Sequence, residues 1–166
     1  MSQMSRETPD TVKAKIIADA LCQLARAGAS YEFFMSKMFW GLSLFLENGS
    51  FQVQNFPKWH RKSDAAIALQ RNVPLLEWKK TIRFEHARPL REMYAIAQSE
   101  ADRLSAGDLL RIVGEYPPVI VTKEEDTLIA GRYRSSGHPE DRYENIRLSF
   151  PLRSDQWKTY SWLDVA

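Results

Sequence analysis

The sequence predicts an α+β fold, predominantly α-helical, in a single domain spanning residues 1–166. Three observations predict it. Apolar residues recur at helical spacing over most of the chain. One short β-branched run, Val119-Ile120-Val121, follows a double proline, and Ile146 to Phe150 alternates apolar with polar residues. Capping and turn signals divide the rest into short pieces.

The first helix is expected to start near Thr8 or Pro9, with Asp10 favouring the positive helix end, and to stop at Gly28. Val12, Ile16, Ala20 and Leu24 mark its apolar spacing, with Ile17 and Leu21 beside them. A second helix is expected from Ser30 to Glu47. Phe33, Phe34, Met38, Phe39, Trp40, Leu42, Phe45 and Leu46 cover much of its surface, so it is either the centre of a core or a partner-facing helix. Residues 1–49 thus form a helical hairpin. Residues 50–62 read as a loop, Ser63 caps a short helix to Arg71, and Leu75 to Phe84 fits either a helix or a strand.

Pro89 opens a helix to about Leu104, and Ser105 caps another that Tyr116-Pro117-Pro118 ends. After the strand at 119–121, Thr122-Lys123-Glu124-Glu125 has the form of a capping box, with a helix to about Gly131. Residues 146–150 are expected to pair with 119–121 in a small sheet. The aromatic tail, Trp157, Tyr160 and Trp162, is expected to pack back onto the domain or onto a second copy.

Composition excludes several classes. The single cysteine, Cys22, cannot form an internal disulfide and reads as a small buried thiol. His60, His86 and His138 lie far apart, with no metal-ligand spacing and no glycine-rich phosphate loop, so neither a metal nor a cofactor is expected. No apolar run is long enough to span a bilayer, and residues 1–10 lack the apolar stretch of a signal peptide, which points to a cytoplasmic protein.

Net charge is +2, but unevenly spread. Residues 1–57 balance to zero, residues 58–91 carry nine basic and three acidic side chains, and residues 92–166 carry nine basic and thirteen acidic. The basic segment interleaves aromatics in Phe56-Pro57-Lys58-Trp59-His60-Arg61-Lys62 and Trp78-Lys79-Lys80, and Arg132-Tyr133-Arg134 repeats the pattern later. Nucleic-acid binders combine cations for phosphates with aromatic faces for unstacked bases. Candidate binding residues are therefore Lys58, Arg61, Lys62, Lys79, Lys80, Arg83, Arg88, Arg132 and Arg134. An ordinary solvated surface around core tryptophans is the plainer reading.

Arg83-Phe84-Glu85-His86-Ala87-Arg88-Pro89 places an imidazole beside a carboxylate, between arginines and just before a helix. Such a set suits phosphodiester chemistry: His86 as general acid or base, Glu85 to orient it, and Arg83, Arg88 and Lys123 to hold phosphate. A helix-entry histidine bonded within the core is the alternative. The Glu85-His86-x-x-Pro89 string resembles the D-H-x-x-P start of HNH nucleases, without the downstream Asn and His of that metal site. Together with Val121-Thr122-Lys123-Glu124-Glu125-Asp126-x-Leu128 and Arg134-Ser135, it resembles small bacterial and mobile-element proteins over about the last half of the chain. That resemblance carries no activity. The functional expectation is binding of RNA or DNA, with a nuclease-like role in host–phage conflict as its extension. The rival is a non-enzymatic antitoxin, immunity protein or inhibitor, meeting a protein partner or second copy through helix 30–47 or tail 157–166.

Overall fold

In the computed structural model, which describes residues 9–31, 33–51, 56–133 and 136–159, four helices enclose the larger core. They are α1 (Pro9–Arg26), α2 (Phe33–Asn48), α5 (Leu90–Ser99) and α6 (Ala106–Gly114). The buried residues of α1, Ala14, Ala18, Leu21, Cys22 and Ala25, follow the three-to-four spacing of one helical face. Gly28 ends this helix in the left-handed region, at φ 66°. Capping positions α6: the Ser105 hydroxyl accepts from the Asp108 amide (3.1 Å), and the Asp108 carboxylate accepts from the Ser105 amide (3.0 Å). Met35, Phe39, Leu42, Phe45 and Leu46 of α2 are all buried in this cluster. The apolar surface that nominated this helix as an interface is thus filled largely within its own chain. The helix begins three residues later than Ser30.

Between α2 and α5 lie a 3₁₀ turn (Phe56–Lys58), α3 (Asp64–Asn72), α4 (Leu75–Thr81) and β1 (Ile82–His86). The stretch that fitted helix or strand is therefore both in succession. Pro74 starts α4, and the fully buried Trp78 anchors it through Nε1–H donating to the Ala66 carbonyl (2.9 Å). After Thr81 the chain becomes extended, since β-branched Ile82 opens β1.

β2 (Pro118–Thr122) is buried at every position and pairs antiparallel with β1, Ile82 opposite Thr122 and His86 opposite Pro118. The expected pairing of 119–121 with 146–150 does not occur. The other edge of β2 is taken by residues 61–63: Ile120 N–H donates to the Arg61 carbonyl and Ser63 N–H donates to the Ile120 carbonyl, both 2.9 Å. Residues 146–150 do keep their alternation, with Ile146 buried and Arg147 and Ser149 exposed. They meet the start of α3 instead, through an isolated bridge between Leu148 and Ser63 and the Asp64 N–H donating to the Arg147 carbonyl (2.9 Å). Hydrophobic alternation reported a buried face but not the strand that would cover it.

From β2 the chain enters α7 (Lys123–Tyr133) through the predicted capping box, with Thr122 N–H donating to Glu125 Oε2 (2.8 Å) and Glu125 N–H to Thr122 Oγ1 (3.2 Å). The short α8 (Pro139–Arg142) and a 3₁₀ turn (Gln156–Thr159) follow. The fold is a predominantly helical α+β single domain with one two-stranded sheet. Trp157 packs against the main core, as expected of the tail; Tyr160 and Trp162 lie outside the described residues. No helix among the described residues is long and apolar enough to cross a membrane.

Candidate functional site

Two open grooves carry polar chemistry. The first, of about 550 Å³, lies at the end of β1 and is lined by Tyr31, Phe84, Glu85, His86, Pro89, Leu90, Arg91, Asp126 and Arg142. It gathers the Glu85-His86-x-x-Pro89 string and Asp126 of the acidic helix start. β1–β2 pairing causes this, because it places the start of α7 beside β1.

Within the groove, Glu85 and His86 are bonded in different directions. His86 is buried, its Nε2 is 3.0 Å from Ser43 Oγ on α2, and its ring meets Trp40 edge-on at 4.9 Å. The Ser43 hydroxyl donates to the Trp40 carbonyl (2.8 Å), so the Ser43–His86 contact is satisfied by an Nε2–H tautomer. Ser43 is fully buried, which removes it as a nucleophile. Burial, with the Arg142 charge adding to it, drives the His86 pKa down to about 3, so this ring is neutral at physiological pH.

Glu85 faces the other way. Its carboxylate accepts from the buried Arg142 guanidinium and, at 2.6 Å, from the Tyr143 hydroxyl. Burial holds the Glu85 carboxyl above the usual carboxylate range, against the opposing pull of Arg142 and the Tyr143 hydrogen bond. Arg142 also donates to the carbonyls of Tyr133 and Ser136, tying α7 to α8. Neither Arg142 nor Tyr143 was singled out from the sequence. Arg142, lone among acidic neighbours and distant from Glu85, gives no local signal.

The second groove, of about 600 Å³, is lined by His60, Arg61, Phe150, Pro151, Arg153, Ser154, Asp155, Gln156 and Lys158. Glu47, at the end of α2, lies behind it. Its side chain is 2% exposed, and Oε1 is 3.3 Å from His60 Nε2 without hydrogen-bond geometry. Burial raises the Glu47 pKa to about 7, with Arg61 opposing, while burial and Arg61 lower that of His60. Sequence reasoning missed Glu47: one carboxylate at a helix end is ordinary, and its burial is set by residues far along the chain.

The predicted binding cations separate by burial. Arg61 and Lys62 are not surface residues. Arg61 donates to the carbonyls of Pro151 (3.3 Å) and Leu152 (2.7 Å) and lies over Phe150; Lys62 donates to the Pro57 carbonyl (2.5 Å) and Gln70 Oε1 (2.8 Å). Arg88 is paired with Glu115 at 3.1 Å and lies over Tyr116. Lys58, Lys79, Lys80, Arg83, Arg132 and Lys123 are exposed. Of these, Lys79 lies over Phe56, Lys80 pairs with Glu77 at 2.9 Å, and Arg132 pairs with Glu144. Arg134 lies outside the described residues. Cys22 is buried, and that burial raises its pKa to about 11, which leaves a thiol rather than a nucleophilic thiolate. Among the described residues no group of three or more His, Cys, Asp or Glu side chains is placed to hold a metal ion.

Fold and grooves together define a small helical α+β protein with these two polar clefts among its described residues. The chain matches no protein-family model, no curated protein and no solved structure.

Proposed function

We propose that this protein binds single-stranded nucleic acid, with an unstacked base entering the first groove. The observation that carries the reading is the pairing of two half-buried aromatic residues, Tyr31 and Phe84, with Arg91 around one open cleft. Aromatic faces accept bases of any sequence, and an arginine beside them serves either a phosphate or a base face. Arg91 lies 5.5 Å over the Tyr31 ring. Phe84 continues into an aromatic cluster, with Phe56 at 5.2 Å, Trp59 at 5.5 Å and Trp40 at 5.8 Å between ring centres. Lys79 lies over Phe56. Asp126 in the groove wall offers an acceptor for a base amino group.

This reading does not use His86 as an acid or base, because the buried imidazole, held down to a pKa of about 3 and with its Nε2–H bonded to Ser43, does not change protonation near neutral pH. The test is fluorescence anisotropy with labelled single-stranded RNA, single-stranded DNA and duplex DNA over a range of salt. Single strands should bind more tightly than duplex. Phe84→Ala or Tyr31→Ala should weaken binding by about 1–3 kcal/mol, the scale of one base–aromatic stack. Arg91→Ala should flatten the salt dependence by about one phosphate contact. No binding at low salt, or equal affinity of the aromatic variants, refutes the reading.

The rival reading, a protein partner, draws on Val12 and Ile16, exposed one turn apart on α1. It predicts self-association or co-purification that charge substitution at Ile16 abolishes, and light scattering decides it.

A further inference from the structure

We propose that the second groove is a binding site for a phosphate-type dianion, such as the terminal phosphate of a phosphomonoester. The inference is independent of the first groove and rests on charge and on unspent polar groups. Four basic side chains line the cleft: His60, Arg61, Arg153 and Lys158. Lys158 is balanced locally by Asp155 at 3.0 Å. Arg153 is not fully balanced. Its partner Glu115 accepts from Arg153 through Oε1 (2.6 Å) and from Arg88 through Oε2 (3.1 Å), so one carboxylate serves two guanidinium groups. That leaves a surplus positive charge at the rim.

Arg61 adds a second. Its guanidinium is pinned by two neutral carbonyls and by Phe150, and its nearby carboxylate, Glu47, is held about half protonated at neutral pH. Arg61 is 3% exposed, and its Nε–H has no acceptor. That N–H is itself closed to solvent, so the guanidinium acts on a ligand in the groove through its charge rather than through this donor. Such a group held in place by carbonyls is also pre-organised, so little side-chain freedom is lost on binding. Ser154 completes the wall. Its Oγ accepts from the Gln156 amide at 3.2 Å, which leaves the hydroxyl hydrogen to donate into the cleft. Two surplus cations, one of them the pinned Arg61, and a hydroxyl donor match a doubly charged tetrahedral oxyanion better than a singly charged carboxylate.

The cleft volume of about 600 Å³ exceeds what a bare phosphate fills, so an organic body on the phosphate is accommodated. The experiment is a titration of the full chain, at constant ionic strength, with inorganic phosphate, with a nucleoside 5′-monophosphate and with the matching nucleoside, followed by calorimetry and by amide chemical shifts. Saturable binding of both phosphates, with none for the nucleoside, is expected, with shifts at residues 60–61 and 150–158. Tighter binding of the monophosphate identifies a phosphomonoester, and equal binding identifies free phosphate; both support the site. Arg153→Ala and Lys158→Ala remove exposed side chains and should leave the fold intact. Arg153→Ala should weaken phosphate binding roughly ten-fold, the scale of one charge-assisted hydrogen bond, and Lys158→Ala, whose charge Asp155 already balances, by less. Tyr31→Ala, in the first groove, should leave phosphate binding unchanged. Non-saturating shifts, or affinity unaltered in both charge variants, overturn the proposal whatever the oligonucleotide assay gives.

Discussion

Replacing Glu47 by Gln should make the protein more stable at pH 8 than the parent, with the gain fading toward acid. The Glu47 side chain is 2% exposed, and its Oε1 has no donor. The Gln156 amide, with its nitrogen toward Glu47, donates to Oε2 (3.0 Å) and to the Glu47 carbonyl (3.3 Å). Burial therefore outweighs the nearby Arg61 charge and raises the carboxyl pKa from 4.5 to about 7. A raised carboxyl pKa means that the folded state holds a proton the unfolded chain has lost. Stability contributed by that proton is complete below pH 4.5 and disappears as pH rises through about 7. The shift corresponds to about 3 kcal/mol in full, and to about 2.5 kcal/mol between pH 5 and pH 8. His86 and His60 titrate with the opposite sign, since both are held below their ordinary pKa and favour the folded state as pH rises. The parent profile mixes these contributions, but the difference between Glu47→Gln and the parent isolates the carboxyl. Urea unfolding followed by tryptophan fluorescence at pH 5, 6, 7 and 8 measures it. A stability difference that stays level across this range would falsify the claim that Glu47 is buried and protonated near neutrality.

Three further outcomes follow from particular contacts. Glu85→Ala should destabilise the fold by about 3–5 kcal/mol, because it strips the carboxylate from the buried Arg142 and leaves that charge uncompensated; a loss under about 1 kcal/mol by denaturant titration refutes it. Gly114→Ala should dislodge the 3₁₀ turn, since the added Cβ meets Trp157 Cβ at 2.6 Å; a shifted tryptophan emission is the signal, and an unchanged spectrum refutes it. Thr122→Ala should cost about 1 kcal/mol of stability through loss of the hydroxyl that accepts the Glu125 amide. Thr122→Ser should retain most of it, and equal losses from both point away from the cap.

The parts of the fold legible in the sequence were those fixed by neighbours along the chain. The Ser105 cap, the Thr122 capping box, the stop at Gly28 and the strand after Pro117-Pro118 are all decided within a few residues, and each is present. The helical spacing of α1 was legible but its buried face was not: of Val12, Ile16, Ala20, Leu24, Ile17 and Leu21 only Leu21 is buried, Val12 and Ile16 are exposed, and the core face is made by Ala14, Ala18, Leu21, Cys22 and Ala25. The partner of β2 was not legible either. Three extended segments compete for its two edges: residues 82–86, 61–63 and 146–150. The first two take them. Nothing local distinguishes these segments, since pairing depends on how α3 and α4 fold the basic segment back onto the sheet.

The same reasoning explains the candidate site. Glu85 and His86 were attractive as a pair because they are adjacent, yet adjacent residues on a strand project to opposite faces. Once residues 82–86 are a strand, adjacency argues for separation, and the bonds go to Arg142 on one side and Ser43 on the other. The cations follow a similar rule. In Lys58-Trp59-His60-Arg61-Lys62 the exposed positions are Lys58 and His60, while Trp59, Arg61 and Lys62 turn inward as the chain joins the edge of β2. A basic segment beside a sheet edge therefore spends part of its charge on backbone carbonyls. The charge available to a ligand is set by whichever cations lack a full partner. By that measure Arg153, which no charge run in the sequence singles out, matters more to an anion than Lys62, which sits in the middle of one.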